Sequence, residues 1–314
     1  MFHNLLDYKT QKKGFFAVWG SIIGVYVGLF ILQIMFTVAY FAILSANGKL
    51  VDGMTIPYNV QLYSTTCAII SVMIFAFCIH KWTKEDMGLR FDKRGLWEYL
   101  WGTGIGFILL SLSIVPAFMT RTMEFTKASL TASSYVVLFT YLVGYIIQSF
   151  SEEFLFRAYI MKRLSQKYNI IFVLIAQAII FGLAHAGNSG ASFIGLFNIC
   201  IIGFLFGQLL LITNNVMLIS GLHFAWNFAQ GCIYGVQVSG TDTTLSIFEC
   251  QVVSMNSIWT GGAFGIEASV TATILFVIAC ILCMPKTIQV IKEKTPVEIQ
   301  QEENDLEITE DTKE

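Results

Sequence analysis

Residues 133–163 read SSYVVLFTYLVGYIIQSFSEEFLFRAYIMKR. As a helix this stretch is long enough to cross about 30 Å of hydrocarbon. Near its middle, however, stand Glu152, Glu153 and, four residues later, Arg157. Charge placed in a bilayer is costly and needs partners, so the rest of the chain must supply both a membrane setting and those partners.

Composition supplies the setting. The chain has 314 residues, 55% of them hydrophobic and 13% charged, with a mean hydropathy of +0.67. A soluble domain would carry about 25% charged residues. The fold class expected is all-α, a polytopic membrane helical bundle of about eight transmembrane helices. The apolar runs lie near Phe15–Leu44, Leu62–His80, Leu96–Phe118, Ser133–Arg163, Ile170–Ala186, Phe193–Ile212, Val216–Val236 and Phe264–Met284. The first has no small-residue cleavage site after its apolar core and reads as an uncleaved span. A formal net charge of −2 gives no reason to expect a nucleic-acid partner.

Lys and Arg set the expected orientation. With the N-terminus inside, fifteen basic residues fall in cytoplasmic segments, among them Lys9, Lys12, Lys84, Arg94, Arg163 and Lys292. Only Lys49, Arg121 and Lys127 fall outside. The expectation is N-in, C-in, in a bacterial plasma membrane, with the active site on the cytoplasmic side. Four stretches follow: residues 1–132 with the N-terminal helices and loops, 133–236 as the core, 237–284 with an outer loop and the last helix, and 285–314 as a disordered acidic cytoplasmic tail. Cys280 and Cys283 form a CxxC inside a span with no second pair, and read as small helix-packing residues.

The charged cluster has a helical logic. Glu153 and Arg157 lie four apart on one face, acid first, the favourable order for an ion pair. At 100° per residue Glu152 points away from Arg157. It is left without a partner in its own helix, as a general base would be. Two later segments add polar groups. FGLAHAGN places Phe181 and His185 four apart, and GLHFAWN does the same for His223 and Asn227. At 1.5 Å per residue, Glu152, His185 and His223 fall in one middle layer of the membrane. Read from the residues alone, they suit hydrolysis or a proton or cation relay in a transporter. The latter reading predicts inverted repeats, and none is visible.

EExxxR (Glu152, Glu153, Arg157), FxxxH (Phe181, His185) and HxxxN (His223, Asn227), in that order, resemble the CPBP family of intramembrane proteases, which includes type II CAAX prenyl endopeptidases and the bacteriocin-processing Abi proteins. GGAFGIEAS, with Glu267, is similar to a stretch found after the core in some bacterial members. The resemblance implies an endopeptidase acting on a membrane-associated protein or peptide in the lipid bilayer. Peptide maturation, bacteriocin immunity and control of surface or signalling proteins are its candidate roles. It also implies Glu152 as the base, His185 holding the water, and His223 with Asn227 as the oxyanion site, supported by Glu153, Arg157 and Phe181. A non-catalytic scaffold regulating a signalling protein is the alternative. Two histidines and a carboxylate would suit Zn²⁺ as a metalloprotease centre held by His185, His223 and Glu152. A glutamate protease with an asparagine in its oxyanion site needs no ion, and no tightly bound cofactor is favoured.

Overall fold

The computed structural model describes residues 13–294, apart from 52, 256 and 257. Lys9, Lys12 and the acidic tail beyond Lys294 lie outside the described residues. The chain is an all-α bundle. Its helices are α1 (Phe15–Ala46), α2 (Tyr58–Ile79), α3 (Lys93–Met119), α4 (Ala132–Ser165), α5 (Ile170–Ala184), α6 (Phe193–Thr213), α7 (Val216–Ile233) and α8 (Val270–Lys294).

Seven of these are long and apolar enough to cross a membrane, and α5, at 15 residues, is the shorter exception. The expected eighth full span is therefore corrected. At 1.5 Å per residue α5 covers only about 22 Å. It stops because His185 closes it and a turn rich in glycine and asparagine follows. His185 thus stands at a helix end rather than within a span. A second correction concerns the expected disordered tail, because α8 runs through Pro285 to Lys294. Lys286–Gln289 and Gln289–Glu293 side-chain bonds support its polar end at 2.9 and 2.7 Å. The Thr287 hydroxyl donates to the Cys283 carbonyl at 2.9 Å.

Local sequence explains most of the boundaries. Asp92, Asn169, Ser192 and Asn215 each accept a backbone N–H of the helix they precede. The tight turn between α6 and α7 is completed by Asn214 in the left-handed region, at φ 51°. At the end of the bundle away from the Lys/Arg-rich connections, β1 (Met123–Lys127) pairs antiparallel with β2 (Phe248–Val252). This ribbon ties the α3–α4 connection to the long α7–α8 connection.

Two close approaches fix the site's frame. A Cβ on Gly221 of α7 would stand 2.1 Å from the Tyr99 carbonyl oxygen of α3, and one on Gly106 of α3 would stand 2.3 Å from the Leu222 carbonyl oxygen. Only glycine permits these backbones to touch, the small-residue packing that membrane helices favour. His223 follows two residues after Gly221, so its position is set against the α3 backbone.

Candidate active site

Glu153 and Arg157 meet as their spacing predicts, with Arg157 Nη1 donating to Glu153 Oε1 at 3.2 Å and both side chains fully buried. The helix widens to π geometry from Phe154 to Met161, immediately beyond Glu153. A similar segment, Ala229–Ile233, follows Asn227 on α7. Such insertions recur at functional sites because they re-aim the turns beside them. The Arg157 guanidinium also lies 4.0 Å from the centre of the Phe181 ring and 5.2 Å from that of Phe206. That contact gives the phenylalanine of FxxxH a physical task, since its face stabilises a cation withdrawn from water.

Glu153 has a further partner. His223 Nδ1 lies 2.8 Å from Glu153 Oε1. Because that oxygen also accepts from Arg157, the ring nitrogen is the donor. His223 is thereby held with Nε2 turned toward Glu152, 3.8 Å from its Oε2. The two carboxylates therefore face the two nitrogens of one imidazole. His185 is held in a parallel way. Its Nδ1 lies 2.9 Å from the Phe181 carbonyl oxygen, which can only accept.

Glu152 does have an in-helix partner, contrary to expectation. Gln148, one turn earlier on α4, donates its amide to Glu152 Oε1. The carbonyl of the same Gln148 accepts from Asn227 Nδ2 at 3.0 Å. One glutamine therefore bridges Glu152 and the asparagine on the facing helix. Sequence reading passed over it, although its i−4 spacing from Glu152 was visible. Glu152 Oε2 is buried and has no hydrogen-bond partner among the described residues.

These groups line a cavity of about 380 Å³. Glu152, Phe181, His185, His223 and Asn227 all contribute to it, as does Glu267. Glu267 sits in a short turn, Ile266–Ala268, just before α8. Its carboxylate accepts from the Ser239 backbone N–H and hydroxyl, each at 3.0 Å, and from Gln230. Burial pushes its pKa up to about 7, against the opposing effect of those donors. The cavity mouth is framed by Gln61, Asn188 and Thr241. These residues belong to the end of the bundle opposite the Lys/Arg-rich connections.

Among the described residues, no group of three or more His, Cys, Asp or Glu side chains is gathered as metal ligands would be. The nitrogens available to an ion are the Nε2 atoms of His185 and His223. Glu152 Oε2 lies 3.8 Å from the second of these.

The fold and the cavity define a multi-pass membrane protein with a polar site inside its helical bundle. Residues 134–229 match the family model for type II CAAX prenyl endopeptidases, described as Rce1-like, in agreement with the CPBP resemblance. The matched stretch carries Gln148 through Asn227 and supports an intramembrane CAAX-type endopeptidase at the level of the family. No curated protein matches the chain.

Proposed function

We propose that the chain is an intramembrane endopeptidase of the glutamate type, cleaving a membrane-associated peptide or protein. The observation that carries this reading is Glu152 Oε2, which is buried beside the cavity, has no hydrogen-bond partner among the described residues and lies 3.8 Å from His223 Nε2. A carboxylate oxygen so placed can accept a proton from water. Gln148 holds the other oxygen, so the free lone pairs keep one direction.

The reaction follows from the contacts. Water, oriented by Glu152 and His185 Nε2, gives a proton to Glu152 as its oxygen bonds to the scissile carbonyl carbon. The oxyanion that forms is held by the second amide hydrogen of Asn227, the first being donated to Gln148, and by a proton on Nε2 of His223 when the ring carries both protons, its charge answered by Glu153. The C–N bond then breaks, and Glu152 returns the proton to the departing amine. Glu153 and Arg157 act through His223, by fixing which nitrogen faces the reaction. No step requires an ion, because the base, the water holder and the oxyanion donors are all side chains.

The test compares membrane and secreted peptides from cells making the wild-type chain with those from cells making Glu152→Gln. Peptides that depend on Glu152 are expected, with equal amounts of the two proteins in the membrane. Identical peptide sets at equal protein levels would leave the scaffold reading in possession. Purified wild-type protein is expected to keep its activity through prolonged chelation. A loss that zinc restores would make it a metalloprotease.

A further inference from the structure

The cavity opens toward one end of the bundle and reaches inward as far as Phe206 and Leu222. Gln33 enters it from the second half of α1, Phe276 from the first third of α8, and Ser239 from the α7–α8 connection. All three lie toward the end that carries the β ribbon. The opposite end is closed: every residue from Phe154 to Met161 is buried, and Arg157 fills the space beneath His223 with its guanidinium packed on two rings. The mouth, by contrast, is partly open, with Gln61 exposed and Ser64, Thr65, Asn188, Ser239 and Thr241 half-buried.

The charge pattern identifies the two ends. The connections at the closed end carry Lys84, Arg90, Lys93, Arg94, Lys167 and others, whereas those at the open end carry Lys49, Arg121 and Lys127. Cytoplasmic loops hold the excess of Lys and Arg in membrane proteins.

From these two observations we infer that the site is loaded from the extracytoplasmic face, and that its substrate is a peptide segment exposed there. The identity of the substrate as a peptide rests on the endopeptidase reading, but the side of access does not. The polar side chains of Gln33 on α1 and of Gln61, Ser64 and Thr65 on α2 line the route. Hydroxyl and amide groups at this depth can replace the water lost by a peptide backbone entering from the membrane surface. A cytoplasmic protein tail would have to pass the closed half to reach Glu152.

The test uses the full chain with Cys78 and Cys250 replaced by serine and with Asn188→Cys or Thr241→Cys introduced. A membrane-impermeant maleimide is added to right-side-out and to inverted vesicles, and labelling is compared with the parent lacking the new cysteine. Both positions are expected to label in right-side-out vesicles and to lose that labelling in inverted ones. Labelling from inverted vesicles only, or equally from both, would overturn the inference. If the variants fail to accumulate, Cys250, on β2 at the open end, is read in the unaltered protein by its own labelled peptide, separately from Cys78, and reports which side of the membrane that end faces; labelling of Cys250 from inverted vesicles would overturn the inference. Labelling does not need catalysis. Outer labelling with no Glu152-dependent peptides would remove the protease reading and leave the side of access standing.

Discussion

The two walls of the cavity bury carboxylates by different means. On the α4–α7 wall, Glu153 is answered by a full positive charge, Arg157, and by an imidazole N–H. On the wall formed by the α7–α8 connection, the donors that Glu267 meets among the described residues are neutral, from Ser239 and Gln230. The difference lies in what each wall can tolerate. A charge pair holds both members in one place and orients a third group. Neutral donors leave the acid free to gain or lose a proton near neutrality. The first wall is built for fixed geometry, and the second is sensitive to pH.

Removing the cation should produce the largest effect. Arg157→Ala leaves Glu153 buried without its counter-charge, and we expect a loss of about 3–5 kcal/mol, read as a fall in detergent melting temperature. The double variant Glu153→Gln/Arg157→Met should recover much of that stability and none of the activity, because His223 loses the carboxylate that turns it. Recovery of activity as well would show that the pair is only structural.

The neutral wall should respond to pH instead. The Glu267 pKa is raised in the folded state, so its contribution is complete at low pH and is lost as pH rises through about 7. The shift corresponds to roughly 3 kcal/mol at most. Glu267→Gln should therefore match the wild type near pH 4.5 and melt higher near pH 8. Gln230 has an unpartnered carbonyl oxygen that could turn to accept the new amide. Parallel melting curves for the two proteins across that range would remove the distinction between the walls.

The smallest change in stability is expected for Gln148→Leu, about 1 kcal/mol for its hydrogen bonds. Its turnover of any substrate found by the peptide comparison should fall sharply, since neither Glu152 nor Asn227 is then held. Full turnover would show that the bridge is incidental.

Much of this arrangement was legible in the sequence, because it depends on spacing within single helices. The Glu153–Arg157 pair, the apolar runs and the polar faces of the fifth and seventh segments are periodic features. What escaped depends on which helix faces which. The Glu153–His223 contact joins residues 70 positions apart, and no local period encodes it. Gln148 escaped for another reason, since an uncharged amide in an apolar run draws no notice until its partners are known. At Pro285 composition misled, because the change from apolar to polar residues marks where α8 leaves the apolar layer, not where it ends.

The touching backbones of α3 and α7 carry a consequence for how the protein can diversify. No side chain larger than hydrogen fits at Gly106 or Gly221 without moving a backbone carbonyl, so the wall that holds His223 admits almost no variation. The wall bearing Gln33, Gln61, Ser64 and Thr65 is made of side chains at positions with room around them. Substitutions there reshape the entrance while the reacting groups stay in register. The chemistry is held constant by one seam, and selectivity can drift along the other.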